Sequence, residues 1–168
     1  EEFSDEKVKA YEFGDMYDQN RNKSFIDKLL LHNIKVFNSK GRYVVPVNQT
    51  QSRMVKNFFE THNKYVDSVF YDASAWSVSN MYNMKSKKLK SFVGESEIKS
   101  IENFVFNLKP KKSNYAYVLD WDDYNSPAAL NYLQKTGVIT YSAYKPFTIK
   151  VNGTNSSKKF NYGSVLIP

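Results

Sequence analysis

The apolar residues of this chain fall into two series that run in the same order. The first opens with Ala10-Tyr11-Glu12-Phe13, part of a strand-like run over residues 8–13, and passes into a polar stretch, 15–22, that reads as loop. From Ser24 onward Phe25, Ile26, Leu29 and Leu30 recur at helical spacing, and Asn33 stands where a helix C-cap falls. Ile34-Lys35-Val36-Phe37 and Tyr43-Val44-Val45-Pro46-Val47 then read as short strands, with hairpin turn chemistry in Asn38-Ser39-Lys40-Gly41 between them. The second series starts with Tyr115-Ala116-Tyr117-Val118-Leu119. It continues through a helix with Ser126 as N-cap, Pro127 at its first position and a Thr136-Gly137 stop. Val138-Ile139-Thr140-Tyr141 and Gly163-Ser164-Val165-Leu166-Ile167-Pro168 complete it as strands.

Setting Ile34 on Val138 also sets Phe25 on Ala129, Ile26 on Leu130 and Leu29 on Leu133, all apolar and without a gap. Matching Gly41 to Gly163 requires a longer hairpin in the second series, where Asn152-Gly153-Thr154-Asn155-Ser156-Ser157 supplies a turn. The fold expected is therefore α/β, a mixed sheet built from two repeated β-α-β-β units with helices packed on the sheet. Each crossover helix would join strands that are parallel if adjacent, and each hairpin would add an antiparallel strand. The two units are expected to share one core.

Beyond Pro46 the first series runs into Asn48-Gln49-Thr50-Gln51, where Asn48 and Gln51 resemble a capping box. A helix carrying Met54, Val55, Phe58 and Phe59 follows to about Thr61. The second series stops at Pro168, so a partner helix is expected just past it, in a longer polypeptide. Between the two series Val69-Phe70-Tyr71 reads as a buried strand, Asp72 as the cap of a helix through Ala73, Trp76 and Met81, and 91–98 and 101–108 as further strands. Lys109-Pro110-Lys111-Lys112-Ser113-Asn114 is the natural linker, separating 1–108 from 115–168.

At 168 residues and 41% hydrophobic, the chain is long enough to bury roughly 70% of the surface its unfolded form exposes. Its 13 Tyr and 12 Phe suit half-buried strands whose hydroxyls reach water. The absence of cysteine excludes disulfides, thiolate catalysis and Cys-based zinc sites. No apolar stretch approaches the ~20 residues of a membrane-spanning helix. A net charge of +7 is compatible with a polyanion partner. However, the lysines gather in apparent loops at 85–90, 109–112 and 158–159, and Arg21, Arg42 and Arg53 are the only arginines, which argues against reading of nucleic acid bases.

Signals for chemistry are few. His32 and His62 lie at helix ends and no H-E-x-x-H pattern occurs; the six glycines are scattered singly, so no phosphate loop forms, and no Gly-x-Ser-x-Gly is present. The sharpest polar feature is Asp120-Trp121-Asp122-Asp123-Tyr124, placed after a strand and before a helix, where α/β folds hold ligands. Carboxylates beside an aromatic face suit a cation, a sugar or a peptide. The same pattern also serves simply to stabilise the following helix N-terminus. Asp72 with Trp76 is the second candidate, and there a capped helix with a core tryptophan explains the residues equally.

Tyr43-Val44-Val45-Pro46-Val47-Asn48-Gln49-Thr50-Gln51, the helix to Phe59-Glu60 and Asp67-Ser68-Val69-Phe70-Tyr71-Asp72-Ala73-Ser74-Ala75-Trp76 resemble a segment of large zinc carboxypeptidase-family proteins of Bacteroidetes. Asp120-Trp121 with Asn125-Ser126-Pro127-Ala128-Ala129-Leu130, and Phe160-Asn161-Tyr162-Gly163 through Pro168, are similar to the same proteins further along. In that family a region of this kind follows a metallocarboxypeptidase domain and precedes a part resembling class I glutamine amidotransferases. The family's two His and Glu around zinc, and its general-base Glu, have no match here, so the resemblance implies a chain without catalytic residues or cofactor of its own beside a zinc-bearing hydrolase.

The function expected is thus a non-catalytic accessory domain supporting domain packing or substrate access in proteolysis, with neighbouring domains of the same polypeptide as its partners. The resemblance implies an exported parent in the periplasm, at the cell surface or secreted. Two other readings stand beside it: a carbohydrate- or peptide-binding module using Trp121 and the Asp120 to Asp123 cluster, and a polyanion-binding domain using the loop lysines.

Overall fold

A computed structural model describes residues 8–60, 77–102, 112–151 and 157–168. They fall into two compact units, one within Glu1–Val105 and the other within Phe106–Pro168. The first holds β1 (Ala10–Phe13), α1 (Gln19–Leu31), β2 (Val36–Ser39), β3 (Arg42–Pro46), α2 (Ser52–Phe59), the single turn α3 (Val78–Met81), β4 (Ser86–Leu89) and β5 (Ser96–Ile98). The second holds β6 (Tyr117–Leu119), α4 (Ser126–Lys135), β7 (Tyr141–Ser142), β8 (Phe147–Lys150), β9 (Ser157–Phe160) and β10 (Val165–Ile167).

In the first unit the two-residue turn Lys40-Gly41 has positive φ at both positions, 49° and 80°, as a type I′ hairpin requires. It folds β3 back on β2, with Ser39 opposite Arg42 and Phe37 opposite Val44. The other edge of β3 takes β1, Phe13 opposite Tyr43 and Ala10 opposite Pro46. The order is β4-β1-β3-β2-β5. Tyr43, Val44, Val45 and Pro46 are all buried because the central strand is covered on both faces, which is why β3 reads as a continuous apolar run.

This order corrects the expected mixed sheet. β1 and β2 do run parallel, as a crossover helix demands, but β3 stands between them, so every ladder among the described residues is antiparallel. The fold is mixed α/β, with ten strands in antiparallel sheets and four helices among those residues.

Alternation along β1 and β3 sends Tyr11, Phe13, Tyr43 and Val45 to one face, where α1 adds Phe25, Ile26 and Leu29 and α2 adds Val55, Phe58 and Phe59 in one cluster. Phe25 is the hub. Its ring meets Phe13 at 5.1 Å, Tyr82 at 5.3 Å, Phe59 at 5.7 Å and Phe58 at 6.0 Å between centroids. Phe59 also stacks on Tyr11 at 4.9 Å, and the Tyr11 hydroxyl donates to Glu60 Oε1 at 3.0 Å. Burial in this core pushes the Tyr43 phenol above its ordinary value of 10.0.

Several element boundaries differ from expectation for identifiable reasons. α1 starts at Gln19 rather than Ser24, because Asp18 caps it by accepting from the Arg21 N–H at 2.8 Å. Its first turn is polar yet buried: Arg21 lies between Asp15 and Asp18, 3.3 Å from each, and Asn22 Nδ2 donates to the Asp15 carbonyl at 2.6 Å. The Asn48–Gln51 capping box does not form, since Gln51 is the N-cap of α2 and makes no side-chain cap bond. Gln49 acts instead. Its Oε1 accepts from the Lys35 N–H at 2.8 Å and its Nε2 donates to the Pro46 carbonyl at 2.7 Å, tying the start of β2 to the end of β3.

Two of the lysine-rich stretches expected as loops contain strands. Lys87 and Lys88 lie in β4, the edge strand beside β1, where charge blunts edge-to-edge pairing, and Lys158 and Lys159 lie in β9. Of the strand expected over 91–98, only β5 forms. The expected strand 69–71, the capped helix start at Asp72 and Trp76, His62, residues 103–108 of the strand expected over 101–108, linker residues 109–111 and turn residues 152–156 lie outside the described residues.

In the second unit β10 lies between β6 and β7, antiparallel to both, and β8 and β9 form a separate two-stranded ribbon. α4 begins at Ser126 with Asn125 as N-cap, one residue earlier than expected, with Pro127 in its first turn. It ends with Gly137 at φ 78°, the left-handed position that closes a helix, and Val138 N–H reaches the Leu133 carbonyl at 3.0 Å.

Candidate functional site

The loop from Asp120 to Tyr124 leaves β6 and leads into α4, as the sequence indicates. Its polar groups are engaged in bracing that junction. Asp120 Oδ2 pairs with Lys158 Nζ at 2.8 Å, and its Oδ1 accepts from the Asp122 N–H at 3.2 Å. Asp122 Oδ2 accepts from Asn161 Nδ2 at 2.9 Å. Asp123 Oδ1 accepts from the Asn125 N–H at 2.9 Å, just ahead of the helix, and the buried Ser126 hydroxyl donates to the Asp120 carbonyl. Lys158 is shared further, its ammonium lying 5.0 Å from the centre of the Phe160 ring.

Trp121 and Tyr124 are 40% and 45% exposed. The Trp121 indole lies against Gly163, where a Cβ would come within 3.2 Å of Cδ1. The structure thus brings Asp120, Trp121, Asp122 and Asp123 into one braced corner with Lys158, Asn161 and Gly163. Asp72 and Trp76 lie outside the described residues.

Of the two histidines, His32 is the C-cap of α1, its ring edge-on to Phe58 at 5.6 Å. Among the described residues no group of three His, Cys, Asp or Glu side chains is placed to hold a metal ion, and no helix is long and apolar enough to cross a membrane.

A second location, which the motifs did not indicate, lies in the first unit. The sheet face opposite α1 and α2 carries Phe37 and Pro46, and Phe92 from the chain between β4 and β5 folds onto Phe37, edge-on at 5.0 Å and 70°. Gly94 permits this. A Cβ there would come within 2.6 Å of Phe92 Cζ and 2.9 Å of Phe37 Cβ and Cγ. The rings border a cleft of about 500 Å³ whose remaining wall includes Lys9, Lys35, Asn48 and Thr50. Its floor is fixed by the Gln49 amide described above, which joins Lys35 to Pro46.

These lining residues come from separate segments that meet only when β3 inserts between β1 and β2. The one signal in the sequence was the Asn48-Gln49-Thr50-Gln51 run. Compared with protein-family models, with curated proteins and with solved structures, the chain matches none.

Proposed function

We propose that this chain is a non-catalytic accessory domain of an exported zinc carboxypeptidase-like protein. It works by packing against neighbouring domains, and its two units are copies of one β-α-β-β design. Support for common design comes from register. Phe37 faces Val44 in the first unit and Tyr141 faces Leu166 in the second; Phe13 faces Tyr43 and Leu119 faces Val165. Asn33 and Gly137 both take positive φ after their helices, and Ile34 and Val138 donate to the Leu29 and Leu133 carbonyls, each at 3.0 Å.

A difference between these counterparts carries the packing role. Tyr11 and Ile34 are each 1% exposed, whereas Tyr117 and Val138, which occupy the same places in the second unit, are 38% and 37% exposed. In the first unit α2 belongs to the cluster that buries those positions. Among the described residues of the second unit α4 is the only helix. An apolar face left open by its own unit is a surface for a neighbour.

The test is direct. The purified chain, with added zinc, should release no C-terminal residue from peptide substrates above the protein-free blank. Release that a chelator abolishes would overturn the non-catalytic assignment.

A further inference from the structure

We propose that the cleft between Phe37, Phe92 and the 48–50 turn of the first unit is a binding site for a carboxylate carried on an apolar, preferably aromatic, body. The proposal is independent of the accessory role and concerns the first unit rather than the second.

Its volume of about 500 Å³ lies within the roughly 300–1,000 Å³ typical of small-ligand clefts. The chemistry of the walls is divided in the way such a ligand needs. Phe37 and Phe92 offer an edge-to-face aromatic pair, one of them 41% exposed at Phe92, on which a flat ring can stack. Lys9 and Lys35 both line the same cleft, and neither has a carboxylate partner among the described residues. Asn48 and Thr50, both exposed, add an amide and a hydroxyl.

The acidic groups that register places on this sheet face do not cancel the lysines. Glu12 is engaged with Arg42 at 3.7 Å, and Glu97 stands opposite Phe37 in the β2–β5 ladder without lining the cleft. The wall is also fixed in advance. Gln49 is bonded to the backbone at both Lys35 and Pro46, and Gly94 lets Phe92 seat on Phe37, so little ordering remains to oppose binding.

Two sources share this chemistry: free aromatic carboxylates and the C-terminus of a peptide ending in an aromatic residue. Titration of the full chain with 3-phenylpropionate, 3-phenylpropanamide, and an acetylated tripeptide ending in phenylalanine as the free acid or the amide separates them. The readout is the amide resonances of Lys35 and Gln49. At least one acid should shift these resonances saturably, with its amide about tenfold weaker, as loss of about 1.4 kcal/mol of ion pairing implies. Preference for the tripeptide acid assigns the site to peptide ends, and preference for phenylpropionate to free acids. The double variant Lys9→Met, Lys35→Met, altered only at exposed side chains, should weaken the better acid by about tenfold or more while the shift pattern elsewhere is kept. Failure of either acid to shift Lys35 and Gln49, equal binding of acid and amide, or an unchanged affinity in the double variant would overturn the site.

Discussion

Replacing Phe25 with alanine is expected to destabilise the first unit by about 3–5 kcal/mol, the range for truncating a fully buried phenylalanine. The side chain is 0% exposed and its ring meets four other aromatic rings, drawn from β1, from α2 and from Tyr82 beyond α3. Those partners sit on separate elements, so they cannot close over the cavity without moving the sheet and both helices together. Urea denaturation followed through the amide resonances of β1 and β3 measures the loss. A cost below about 1 kcal/mol would show that the aromatic cluster is not the centre of this unit.

The second large effect is a contrast between two positions, Ile34 and Val138, that each follow a helix and donate to a leucine carbonyl of it. Ile34→Lys puts an ammonium group into a cluster with no carboxylate in it, and its cost should exceed about 3 kcal/mol. Val138→Lys is at a site 37% exposed, and the long side chain can lay its stem on the surface with its charge in water. The second unit should therefore keep its stability to within about 1 kcal/mol. Denaturation monitored separately through resonances of each unit checks both values. Equal losses would mean that the second unit buries this position as the first does.

Much of this arrangement was legible where the physics is local. Phe25, Ile26 and Leu29 at helical spacing, the hairpin turn and the Gly137 stop are each set by a few neighbouring residues; the helix and the stop fall where the pattern puts them, and the turn expected over 38–41 narrows to Lys40-Gly41 because Asn38 and Ser39 pair in β2. The first turn of α1 was not legible, because hydrophobic periodicity is blind to Arg21 and Asn22. They are buried by hydrogen bonds to Asp15 and Asp18 rather than by apolarity. The sheet order was also hidden. Whether β1 and β2 pair directly or through β3 depends on which strand most needs cover on both faces, a comparison between segments.

The candidate sites divide in the same way. The position of the Asp120–Tyr124 loop between a strand and a helix followed from local pattern, but its use did not, because Lys158 and Asn161 are far along the chain. Lys88 looked like loop charge until β1 gave it a partner strand. The Phe37–Phe92 cleft had no contiguous motif to announce it, only a glutamine in the right turn.

Amide hydrogen exchange at Ile34 and Val138, measured in the same sample of the full chain, decides whether the second unit presents an open packing face. Both N–H groups donate to a leucine carbonyl of the preceding helix at 3.0 Å, so the local hydrogen bond is the same and only the cover differs. Ile34 should exchange only when its unit unfolds, and Val138 should exchange about a hundredfold faster or more, a gap of roughly 2.7 kcal/mol. Equal protection at the two amides would contradict a face left open for a neighbour.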